Sequence, residues 1–188
     1  MSIQVTDEQA GAMHPSSVAV RAHSPLAIAN EFLKRAEEDG RELTHMQLQK
    51  LVYLANGWNL AATNRPMVED DPEAWEFGPV YRRLFDALKK YGRSPVRDLI
   101  RWGDDTPFSQ DDGEVASESL SDDERAVIDM VWRAYGHMQA FQLSALTHQD
   151  ESPWSRTYEA GRNRRIPMNL INEHFKDLML RYGGKATS

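Results

Sequence analysis

Apolar residues recur at helical spacing in several stretches of the chain, and residues that start or stop helices sit at their ends. Ser24 and Pro25 pair an N-cap residue with a proline at the first helical position, where its missing N–H costs nothing. A helix is predicted from there to about Asp39, with Ile28, Phe32 and Ala36 on one face and Gly40 as its stop. The second helix has stronger signals. Thr44 and Gln47 have capping-box spacing, and Leu43 and Leu48 are placed to close a hydrophobic staple. Leu48, Leu51, Val52, Ala55, Trp58 and Ala62 then form the stripe of a central core helix that ends at Asn64 to Pro66. Gly78 and Pro79 read as the start of a third helix, with the stripe Val80, Leu84, Phe85, Leu88 and Tyr91 and Gly92 just past it. A second capping box, Ser121 with Glu124, opens a helix carrying Val127, Val131, Ala134 and Tyr135, which stops at Gly136.

Shorter pieces complete the pattern. One helix is expected from about Gln139 to Thr147, and another, capped by Ser152 and Pro153, carries Trp154 and Tyr158 to Gly161. The last begins near Pro167 and is expected to bury Ile171, Phe175, Leu178 and Tyr182. Strand-like segments at 67–69 and 74–77 flank Asp70, Asp71 and Pro72, a turn-forming cluster, so a small β-hairpin is expected near 67–77. Residues 1–23 show no sustained period and read as a mobile leader; residues 184–188 read as a tail. The fold class that follows is mainly α, a compact single-domain bundle of six or seven helices over 24–183.

Charge changes the picture locally. The 188 residues have a net charge of −7, but nine acids and no Lys or Arg fall within 102–124. Removing those nine leaves the rest at +2. The body is nearly neutral, and 102–120 reads as an acidic loop inside a long excursion, 94–119, that shows no helical period. This balance does not describe a phosphate-binding surface, so DNA is an unexpected partner. The chain contains no cysteine, which excludes disulfide scaffolds, thiolate metal sites and cysteine nucleophiles and fits a reducing cytoplasm. No apolar run is long enough to span a membrane.

Little catalytic chemistry is visible. His45, His137, His148 and His174 have no third metal ligand at a recognisable spacing, and His148 with Glu151 reads as a capping or satisfied histidine. A phosphate loop, a nucleophile elbow and a His-Glu-x-x-His motif are all missing, so no enzymatic activity, metal or cofactor is expected. The helices flanking Gly136 have helix-turn-helix order, with Gln139 and Gln142 as base-edge candidates, yet no Lys or Arg occurs between Arg133 and Arg156. Arg156, Arg162, Arg164 and Arg165 form a basic cluster that reads as a solvated loop or as a partner for the acidic loop. Trp75, Phe77, Tyr81 and Trp154 lie at loops and helix starts, where a rigid aromatic can either pack inward or anchor a partner.

Three blocks, MQLQKLVYLANGW (46–58), EAWEFGPVYRRLFDALKKYG (73–92) and LSALTHQDESPW (143–154), occur in an order that resembles the Panacea domain. This phage-associated family includes the SocA-type antitoxins and the GepA-like proteins. The resemblance extends from about Ser24 to Tyr182. It implies a helical antitoxin that neutralises a cognate toxin, encoded by a neighbouring gene, through direct protein contact. For the SocA-type branch it implies, as an alternative, an adaptor that delivers the toxin to the ClpXP protease; a DNA-binding regulator is a further alternative, for which 23 leader residues are few. Trp75, Gly78, Pro79, Tyr81, His148, Pro153 and Trp154 match the family's motif. Trp75, Phe77, Tyr81 and Arg82 are the partner-binding candidates, while Gly78, Pro79, His148, Pro153 and Trp154 are the candidates for a structural role. Whether Trp154 faces a partner or the core stays open at this level. Self-association is compatible with the apolar helix faces, though no feature demands it.

Overall fold

Caps set the helical frame. The computed structural model describes residues 21–106 and 113–183, and all statements of structure refer to these. Ser24 accepts a hydrogen bond from the Leu26 N–H and starts α1 (Pro25–Glu38). Strand β1 (Leu43–Thr44) leads into α2 (His45–Thr63), whose capping box forms as expected between Thr44 and Gln47, and Asn64 ends it with a left-handed φ of 57°. After β2 (Glu73–Trp75) and β3 (Gly78–Val80) come α3 (Arg82–Leu88), a 3-10 turn at Lys89–Tyr91, and β4 (Pro95–Val96). Helix α4 (Asp122–Tyr135) starts at the second capping box, Ser121 with Glu124; α5 (Ala140–Thr147) and α6 (Met168–Gly183) follow. Six helices and two antiparallel strand pairs, β1 with β4 and β2 with β3, make up the described fold.

Helix α2 is the axis of the core, and α1, α3, α4, α5 and α6 all pack on it. Enclosure on every side explains why Gln47, Gln49, Lys50, Asn56 and Asn59 are buried along with its leucines. The closest approach is at Gly57, where a side chain would collide with the Phe175 ring of α6. Phe175 instead packs edge-on against Tyr53 and Trp58. The buried amides act as clamps. Asn56 Oδ1 accepts from the Met67 and Val68 N–H groups, and Asn30 of α1 bonds both backbone groups of Ile100 and the carbonyl of Ala116.

Several expectations are corrected by these contacts. The hairpin forms, but between Glu73–Trp75 and Gly78–Val80, with its turn at Glu76 and Phe77. Met67 to Glu69 pairs instead with His23, because Asn56 holds it down beside α1. Gly78 and Pro79 are therefore strand residues, and α3 begins only after Tyr81. Ser152 does cap a turn, receiving the Ser155 N–H, but residues 153–161 form successive turns and no helix. Tyr182 is 64% exposed, since the buried face of α6 ends one turn earlier near Leu178.

The described parts of the 94–119 stretch, 94–106 and 113–119, are more ordered than their composition suggests. Val96, Ile100, Ala116 and Leu120 are buried, and Arg101 bridges to Val115. Several described acids of this region are used within the domain. Asp105 bonds Arg83 at 2.9 Å, and Glu118 and Glu124 take the two ring nitrogens of buried His23 at 2.8 and 3.1 Å. His23 thus belongs to the folded domain and not to the leader; residues 1–20, the acidic pair Asp111 and Asp112, and the 184–188 tail lie outside the described residues. Among the described residues the basic cluster has no ion pair with the acidic loop. Arg162 and Arg164 pair with Glu159, and Arg165 with Asp71.

Candidate functional site

A hairpin with three-residue strands leaves most of its carbonyls without partners of its own, and neighbouring side chains supply them. Trp154 Nε1 donates to the Trp75 carbonyl at 2.7 Å, His148 Nε2 to Glu76 at 3.0 Å and Ser144 Oγ to Phe77 at 3.1 Å. From α2, Lys50 Nζ donates to Pro79 at 2.9 Å, and Gln49 binds both the N–H and the carbonyl of Tyr81. Residues 75 to 81 are thereby held at five carbonyls, each bond contributing about 0.5–1.5 kcal/mol net. Gly78 is required where α2 and α5 close on the strand. Its φ is +101°, and a Cβ there would lie 2.8 Å from both Lys50 Cε and Thr147 Oγ1.

The pinned turn presents Phe77 to solvent at 59% exposure, beside Phe141 of α5 at 72%. Beneath them lie two adjoining hollows of about 630 and 740 Å³ that share His45, Met46, Phe77 and Phe85 and so form one long cleft. An aromatic row lines it. Phe85 packs 6.0 Å from the His45 ring and 4.8 Å from Trp75, and the Arg82 guanidinium lies 4.6 Å over the Trp75 ring. Glu73 Oε2 accepts from both Trp75 Nε1 and Arg82, fixing the two against each other.

The floor of the cleft has an unusual charge. Lys50 is 1% exposed, its ammonium has the Pro79 carbonyl as acceptor, and no carboxylate pairs with it among the described residues. Burial brings its pKa down to about 7. His45, the first residue of α2, has a buried Nδ1 with no hydrogen-bond partner among the described residues, and burial followed by the nearby Lys50 charge lowers its pKa.

These contacts account for all three sequence blocks at once, since 46–58 supplies Gln49 and Lys50, 73–92 the hairpin, and 143–154 Ser144, His148 and Trp154. Residues 48–155, more than half of the chain, match the family described as "Antitoxin SocA-like, Panacea domain". The chain belongs to that family. It is also 28% identical over 164 residues to Antitoxin SocA of Caulobacter vibrioides (strain NA1000 / CB15N), an alignment that covers 87% of this chain and 83% of that protein. No solved structure matches it.

Within this Panacea domain the predicted residues divide. Trp75, Phe77 and Arg82 come together at the cleft mouth. Tyr81 does not join them. It is fully buried, because Gln49 draws its backbone against α2 and the side chain follows into the core. His148 and Trp154 pack as tilted rings with centroids 3.8 Å apart and reach the hairpin carbonyls, with Pro153 buried behind; His148 contacts the hairpin and not the turn before Pro153, which Ser152 holds through the Thr147 carbonyl. Gln142 is occupied as the cap of α5, accepting the Gln139 N–H, and α5 has no basic residue, which leaves the helix-turn-helix reading without support. Sequence reasoning missed Gln49, Lys50, Ser144, His45, Phe85 and Phe141 as parts of the site. The available signal was Gln49 and Lys50 interrupting the apolar run of α2, and Phe141 lying off the stripe of α5. No described helix is long and apolar enough to cross a membrane, and no group of three or more His, Asp or Glu among the described residues is placed to hold a metal.

Proposed function

We propose that this protein is the antitoxin of a toxin–antitoxin pair and that it neutralises its toxin by direct contact at the cleft beneath Phe77 and Phe141. The observation that supports the reading is the pairing of two exposed phenylalanines with a turn held rigid at consecutive carbonyls. Aromatic anchors over a preformed cleft provide most of the affinity in protein complexes, and rigidity reduces the ordering cost of binding. The relative named as an antitoxin supplies the kind of partner. A stable complex buries about 1,200 Å² or more, so the cleft anchors an interface that extends beyond it.

The test is co-expression. Each gene flanking this one is induced with and without the protein, and whatever is neutralised is pulled down. The expected outcome is a neighbour that arrests growth, is rescued, and co-purifies. If no neighbour is toxic, or rescue occurs without a complex, direct neutralisation is wrong.

A further inference from the structure

The charge in the cleft runs against that of the molecule. The chain has a net charge of −7, whereas the two hollows are lined by Lys50, Lys89 and Arg93 against a single acid, Glu76. Lys89 is paired with Asp86 at 2.9 Å, outside the lining, and Arg93 is exposed at the far end of the cleft. In the floor, among the described residues, the Lys50 ammonium has a carbonyl but no counter-ion, and buried His45 Nδ1 has no hydrogen-bond partner. A buried cation without an anion is unfavourable, and its field passes through protein rather than water, so a negative group placed in the cleft interacts with it strongly. The walls, Met46, Trp75, Phe77, Phe85 and Phe141, ask for apolar side chains around that group.

We infer that the cleft receives an apolar segment of the partner protein that carries an Asp or Glu side chain, its apolar residues between Phe77 and Phe141 and its carboxylate over His45 and Lys50. The inference rests on the cleft being the toxin-binding face and adds the chemistry of what enters it. Such a carboxylate supplies the acceptor His45 lacks and the counter-ion Lys50 lacks, while Lys89 and Arg93 steer acidic segments toward the opening. A basic segment is rejected by the same charges.

The test uses the full chain and synthetic peptides, N-acetylated and C-amidated, in which leucine and phenylalanine alternate with aspartate, compared with counterparts carrying asparagine or lysine in place of aspartate. Fluorescence anisotropy is read at about pH 6, where Lys50 is protonated, at low and high salt. The aspartate peptide is expected to bind at least about tenfold tighter than the asparagine peptide, with the lysine peptide weakest, and the gap should narrow at high salt. Lys89→Glu with Arg93→Glu, both exposed, should narrow it as well without altering the far-ultraviolet circular dichroism. Lys50→Met, where it folds, should remove most of what remains. Equal binding of the aspartate and asparagine peptides, or binding of none, overturns the inference. An asparagine peptide with a free C-terminus that matches the aspartate peptide assigns the charge to a chain end and overturns it too, as does a dimer of this chain that dissociates on Phe77→Ser. Peptide discrimination with no toxic neighbour upholds the cleft chemistry and rejects the antitoxin reading; neutralisation that needs Phe77 while the peptides bind equally does the reverse.

Discussion

Lys50 makes the stability of the domain depend on pH in a direction that can be worked out. Burial lowers its pKa from 10.5 to about 7. Between those values the unfolded chain holds a proton that the folded chain has released, so stability rises with pH across that window. Below about 7 both states are protonated and this contribution is flat. One proton sets the upper slope at about 1.4 kcal/mol per pH unit. Denaturant midpoints should therefore increase from pH 7 to 9 in the native protein, and Lys50→Met should flatten that rise; a midpoint that falls over the range contradicts the assignment. Gly78 is the second single residue on which much depends. Gly78→Ala imposes a side chain at φ +101° and displaces Lys50 and Thr147, at an expected cost of about 1–3 kcal/mol in thermal unfolding. A variant as stable as the native protein would show that the strand relaxes freely.

At the scale of elements, the hairpin is held by its neighbours more than by its own ladder. Trp154→Phe keeps the ring and removes the donor to the Trp75 carbonyl, so a loss of about 0.5–1.5 kcal/mol and faster amide exchange at 75–80 are expected. Unchanged exchange would mean that the remaining donors suffice. Asn30→Ala should speed exchange around Ile100 and Ala116 in the same measurement, because three bonds from one buried amide hold these two residues. The helices bounded by local chemistry were legible in the sequence. Ser24, Thr44 with Gln47, and Ser121 with Glu124 cap the helices they were expected to cap. What was not legible depended on contacts distant in sequence. Asn56 holds Met67 and Val68 beside His23, which moves the hairpin turn from Asp70–Pro72 to Glu76–Phe77 and makes Gly78 and Pro79 strand residues. The site divided in the same way. Of the four partner-binding candidates, Trp75, Phe77 and Arg82 lie at the cleft, whereas Tyr81 is buried; Lys50 was overlooked, since burial of one residue and exposure of its neighbours follow from how α2 and α5 enclose the strand.

For the molecule as a whole, charge is partitioned. The acidic stretch that dominates the composition is committed in good part to His23, Arg83 and Lys90, and so fastens the domain, whereas the cleft opposes it with a basic, aromatic lining. Phe77 and Phe141 are exposed, and replacing each with serine should change stability by no more than about 0.5 kcal/mol. If they anchor the partner, the same changes should each weaken the complex by about 2 kcal/mol, roughly thirtyfold. The most direct measurement is growth rescue from the neutralised toxin by the double variant Phe77→Ser, Phe141→Ser, with its melting temperature recorded alongside. Loss of rescue at an unchanged melting temperature is the predicted result; rescue equal to that by the native protein would contradict the cleft as the toxin-binding face.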